Sequence, residues 1–163
     1  MLLFDAASEH PCAGGLDLHL VTDRVMGGLS EGRLKLEQVA GRPALRMTGD
    51  VRLDNDGGFI QMAGELPSSA RSARGLRLEV FGNDEVYGCH LRTEDLTRPW
   101  QSYRRSFQAP AKWHRIELDY QDFEAYRTDR PFRRAALRRM GLIGVGRAFR
   151  ADLAIAGIEL LLD

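Results

Sequence analysis

One local pattern recurs along this chain and narrows what it can fold into. Apolar and polar residues alternate over short segments, and Gly, Pro, Asn or Asp interrupts each one. The clearest segment is residues 75–81, where Leu76, Leu78 and Val80 share one face of an extended strand. The same period of two runs through residues 33–37 and 44–47 on either side of Gly41-Arg42-Pro43, a hairpin signal. It returns at Leu16, Leu18 and Leu20, at Val51 and Leu53, and in residues 59–62, 86–92, 113–118, 141–145 and 153–160. Three stretches depart from it. Residues 67–74 read as a surface loop and residues 120–126 as a loop or single turn. Pro131 at a first helical position predicts a short helix over residues 132–140. About nine or ten short strands at even spacing with so little helix is the profile of an all-β sandwich or jelly roll. At 163 residues, with no linker, repeat or low-complexity tract, a single domain over residues 1–163 is expected.

Bulk charge names no partner, because 23 Lys and Arg balance 23 Asp and Glu. The distribution is less even: residues 1–103 hold 11 basic and 15 acidic side chains, residues 104–163 hold 12 and 8. The excess in the second part is Arg, including Arg104, Arg105, Arg133, Arg134, Arg138 and Arg139. Without overall basicity or interleaved aromatics, this reads as a solvated face, and no nucleic-acid partner is expected. Cys12 and Cys89 are far apart and in no metal spacing, so free thiols are expected. The first residues have no basic start or apolar core of a signal segment, and no run approaches a membrane span. A cytoplasmic protein without membrane insertion is the expectation.

Two polar turns carry the most information. Thr22-Asp23-Arg24-Val25-Met26-Gly27-Gly28-Leu29-Ser30 is echoed by Asp54-Asn55-Asp56-Gly57-Gly58-Phe59. Each ends in a Gly pair, the residue tolerated where φ is positive or where backbone approaches something closely, and each runs into a strand. Asp23 and Arg24 are expected either to contact a ligand or to pair and lock the first loop against the second. Asp54, Asn55 and Asp56 lack the oxygen set of a calcium loop, and Asx turns explain them. Neither Gly pair has the strand–loop–helix context of a phosphate loop. His10, His19, His90 and His114 show no triad spacing, and Cys89 and His90 point to opposite faces of their strand. No catalytic residue, metal ligand or cofactor is therefore assigned.

These two motifs resemble the paired signatures of the complex I intermediate-associated protein 30 family, which includes a mitochondrial assembly chaperone and many bacterial relatives. The resemblance runs over about residues 16–162 and takes in Gly75-Leu76-Arg77-Leu78, Tyr87, Leu91-Arg92, Trp100, Tyr103, Phe107, Trp113 and the closing Phe149, Leu153, Ile155 and Ile158. Leu18 stands where the family commonly has a Trp. The resemblance implies a galactose-binding-like jelly-roll β-sandwich with at most one or two short helices, and a bacterial single-domain member.

A binding protein fits these residues better than an enzyme. The resemblance favours an assembly factor that holds a respiratory-complex subunit or other protein. Its candidate contacts are Asp23, Arg24, Met26, Gly27, Gly28, Ser30, Asn55, Gly57, Gly58 and Phe59, together with Arg92, Trp100 and Tyr103 in an aromatic–Arg patch. The alternative is a module for carbohydrate or another small ligand. The third reading is an enzyme working at the edge formed by Asp23, Arg24 and Asn55.

Overall fold

The computed structural model describes residues 1–163 as two six-stranded antiparallel sheets packed face to face. The first takes the order β3 (Glu31–Val39), β4 (Arg42–Val51), β12 (Phe149–Leu161), β6 (Gly75–Phe81), β9 (His114–Asp119). β1 (Leu2–Asp5) joins β12 beyond the end of β4. The second takes the order β10 (Glu124–Tyr126), β8 (Ser102–Ala109), β7 (Glu85–Thr93), β11 (Leu137–Val145), β5 (Phe59–Glu65), β2 (His19–Thr22). The sandwich expected from the alternation is what forms. Leu76, Leu78 and Val80 are fully buried between the sheets, and Arg77 and Glu79 on the other face pair with Glu117, Glu159 and Arg115.

One cluster of 34 buried residues fills the space between the sheets. A smaller one sits on the outer face of the first sheet, where Phe81 and Trp113 cover Val39, Ala44 and Ala154. Trp113 donates to the Val39 carbonyl at 3.1 Å and lies under Arg42, so its polar edge is satisfied. The β3–β4 hairpin turns on Ala40 and Gly41, both at positive φ, the backbone of a two-residue primed turn.

Four expectations need correction. Residues 132–140 form no α-helix: a 3-10 turn, Arg134–Ala136, leads into β11, which pairs on both edges with β5 and β7. Pairing on both edges outweighs the helix propensity of a short Ala-Leu-Arg run. Leu16 and Leu18 are buried but lie outside any strand, Leu16 donating its amide to the Leu3 carbonyl at 3.2 Å, and β2 begins only at His19. The stretch 67–74 is not simply surface, because its 3-10 turn Ser68–Ser72 buries Ala70 and, just beyond, Ala73 in the core. Residues 124–126 form a short edge strand after the 3-10 turn Tyr120–Asp122.

The charge asymmetry between the two parts of the chain resolves into cross-pairing. Arg133 meets Asp95, Arg138 meets Glu65, Arg147 meets Glu85, Arg150 meets Asp50 and Arg115 meets Glu79. The second part's Arg residues are spread over many strands and do not gather in one basic patch.

Candidate functional site

The two Gly-pair loops meet at one end of the sandwich. The first leaves β2 at Thr22 and makes a 3-10 turn, Asp23–Met26; the second leaves β4 and makes another, Asp54–Asp56. Because Thr22 is paired with Ile60 of β5, both loops are carried on neighbouring strands. The side chain that joins them is Asp23, which is fully buried. One carboxylate oxygen accepts from the Ser30 amide at 3.0 Å. The other accepts from the Ser30 hydroxyl at 2.5 Å, the Gly58 amide at 2.5 Å and the Phe59 amide at 3.2 Å. Ser30 extends the network by accepting from the Arg52 amide at 2.8 Å. Burial alone would raise the Asp23 pKa, but the hydrogen bonds from Ser30, Gly58 and Phe59 outweigh it and hold the carboxyl below its ordinary value. Asp23 is therefore an internal anion solvated by backbone.

That anion explains the glycines beside it. A Cβ on Gly28 would lie 2.5 Å from the Asp23 carboxyl carbon, and one on Gly57 would lie 2.6 Å from its oxygen. Gly27 has open space around it but caps the first turn at φ +85, a left-handed conformation that costs other residues more. Asn55, itself left-handed at φ 57, donates to the Gly27 carbonyl at 3.2 Å and closes the second loop on the first.

Arg24 does not pair with Asp23. It folds back along its own loop, donating to the Ser30 carbonyl at 2.9 Å and to Glu31 at 3.1 Å. With the Asp23 carboxylate turned inward, Val25 and Met26 stand 74% and 63% exposed on the first loop, beside the exposed Arg24–Glu31 pair. Leu53, at the foot of the second loop, is half exposed and close to Gly58.

The remaining candidates lie elsewhere. Phe59 begins β5 beside the loops, whereas Arg92 stands across the sheet near Glu65 at the strand's other end, about 20 Å away along β5. Arg92 donates through Nη1 to the carbonyls of Arg98, Pro99 and Gln101, and so holds the loop between β7 and β8. Trp100 projects from that loop, half exposed. Tyr103 does not line a surface: its ring is buried against Phe132 and its hydroxyl donates to the Arg130 carbonyl at 2.9 Å. The sequence candidates thus divide between two ends of one sheet. Gln61 and Arg139 face outward beside Arg92, a grouping that only the pairing register of β5, β11 and β7 creates.

Other reactive groups are muted. Cys89 is buried, and burial pushes its thiol up to about 12, so it is no nucleophile near neutral pH. Burial and the Arg104 charge push His90 down to about 3, so its imidazole is neutral. No three His, Cys, Asp or Glu side chains converge as a metal-binding group. No helix is long and apolar enough to cross a membrane.

The two-sheet antiparallel sandwich is similar in fold to carbohydrate-binding modules. The family 11 module of the cellulosomal cellulase Lic26A-Cel5E of Clostridium thermocellum superposes with a TM-score of 0.76, covering 100% of this chain and 94% of that one at 9% identity. The same family's module in complex with a β-1,3-1,4-mixed-linked tetrasaccharide gives 0.71 over 92% and 91% at 10% identity. The family 30 module of the Clostridium thermocellum cellulase Cel9D-Cel44B gives 0.56 over 81% and 91% at 12% identity. At such identities the likeness is one of fold. The chain belongs to the complex I intermediate-associated protein 30 family, whose sequence model matches residues 7–150. No curated protein sequence matches it.

Proposed function

We propose that this chain is a non-enzymatic binding protein that holds a protein partner, as an assembly factor for a respiratory complex would, through the loop pair around Asp23. The observation that carries this reading is the inversion of polarity in the first loop. Its carboxylate is spent inside on four hydrogen bonds, while Val25 and Met26 face solvent on a turn fixed at both ends. Large apolar side chains on a rigid support lose little freedom when a partner covers them, which is the condition for a binding anchor. The family description supports the kind of partner, a complex I intermediate. A glycan-binding role is the second reading; it rests on the fold shared with carbohydrate-binding modules.

Affinity capture of the tagged protein from its own cells tests the first reading, with Val25→Ser/Met26→Ser as the comparison. Respiratory-complex subunits recovered with the parent and lost with the variant are the expected result. Equal recovery with both proteins, or recovery of no such subunit, overturns it.

A further inference from the structure

At the other end of the second sheet, register brings together residues that no local motif connects. His90 of β7 lies opposite Gly141 of β11, Gly141 opposite Ala63 of β5, and Arg92 opposite Arg139. These positions face away from the core, which is filled from β7 by Tyr87, Cys89 and Leu91. Small residues in the middle of the sheet leave a depression of about 440 Å³, walled by Gln61, His90, Arg92, Thr97, Pro99 and Arg139. Thr97 and Pro99 are held there by the loop that Arg92 ties through Nη1.

We propose that this groove binds a small anionic ligand, a molecule presenting a carboxylate or phosphate group to Arg92 and Arg139. Neither wall nor floor carries a carboxylate. Glu65 and Glu94 line an adjoining cavity that Arg92 and Arg139 also border; there Glu65 is shared between Arg138 at 3.3 Å and Arg139 at 3.7 Å, and Glu94 is taken by Arg71 at 3.0 Å. Arg92 has no acidic partner, and its Nε and Nη2 remain available after Nη1 is spent on carbonyls. Burial and the charges of Arg139 and Arg138 depress its pKa, which is the signature of positive charge without compensation. An anion supplies that compensation, and a guanidinium fork matches carboxylate or phosphate oxygens in pairs. Neutral His90 and the Gln61 amide add one ring donor, one ring acceptor and an amide for the rest of the molecule. The lining includes no Phe, Tyr or Trp ring, so a neutral sugar gains no broad stacking surface within it.

This inference is independent of the loop pair. The test is titration of the whole protein, followed by amide NMR shifts at low ionic strength, with three probes: inorganic phosphate, a uronic-acid trisaccharide and a neutral glucan tetrasaccharide. The expected result is saturable movement of the Gly88, His90 and Gly141 amides with an anionic probe, weakened by added salt and roughly tenfold weaker in Arg139→Gln. Response to the uronate alone identifies a sugar acid, and response to phosphate identifies a phosphorylated ligand. Absence of movement with both anions up to about 10 mM overturns the proposal, as does equal affinity for the neutral tetrasaccharide. The wild-type shift map decides the matter even if the variant folds poorly.

Discussion

The two ends of β5 solve opposite problems with similar residues. At the Phe59 end a charged side chain points inward and is neutralised by the dipoles of three amides and a hydroxyl, leaving apolar groups outside. At the Glu65 end charged side chains point outward, and two guanidiniums face each other across the sheet with too little acid between them. A charged motif in a turn is thus no guide to which way the charge faces. What decides is the supply of backbone donors: loops that meet at a sheet edge offer amides free of the ladder, and a short carboxylate satisfies several at once. Flat sheet has already spent its amides on neighbours, so its charges go to solvent.

Substitution at the staple has the largest expected effect. Asp23→Ala leaves the Ser30, Gly58 and Phe59 amides without a buried partner, at about 1–3 kcal/mol for each group left unmade and with partial relief by water. A loss of about 3–5 kcal/mol is expected by urea denaturation; a loss under about 1 kcal/mol contradicts the staple.

The neighbouring glycines sharpen the point. Gly28→Ala forces a methyl against the Asp23 carboxyl and is expected to cost about 2 kcal/mol or more, against about 1 kcal/mol for Gly27→Ala, which meets only an unfavourable φ. If the two cost the same in paired denaturation curves, crowding by the carboxylate plays no part.

Acid provides a third probe. The folded-state pKa of Asp23 lies below its unfolded value, so its contribution is whole above about 3.8 and falls away as pH drops through the depressed value. The stability gap between wild type and Asp23→Asn is expected to be constant near neutral pH and to narrow only in acid. A gap that narrows on raising the pH instead reverses the sign and rules out the hydrogen-bonded carboxylate.

The smallest effect is expected at the tip. Val25→Ser/Met26→Ser changes exposed residues and is expected to alter folding stability by no more than about 0.5 kcal/mol, measured by thermal unfolding. A large loss would mean that the pair is packed and not presented.

The fold was legible where a strand buries one face. Leu76, Leu78 and Val80 announce β6 by alternation alone, and the sandwich follows from many such segments. Residues 141–145 of β11 were legible as strand, but its start was not, because Arg134-Ala135-Ala136-Leu137-Arg138-Arg139 has the composition of a helix and its Leu137–Arg139 part becomes strand only where β5 and β7 take the edges. The importance of the two Gly pairs could be seen from their repetition; the inward turn of Asp23 could not, since it depends on amides 35 and 36 residues away in the other loop. The groove was hidden for a similar reason. Gln61, His90, Arg92 and Arg139 belong to three strands, and only the pairing register makes them neighbours.

β12 has a consequence for how the molecule is made. It occupies the middle of its sheet, with β4 and β1 on one side and β6 on the other. Until residues 149–161 leave the ribosome, β4 and β6 each present a bare edge, and the core lacks Ala151, Leu153, Ile155, Ile158 and Leu160. Every nascent chain therefore waits, open and sticky, for residues 149–161 to arrive, and a product stalled or clipped before them is expected to aggregate rather than settle as a shorter sandwich.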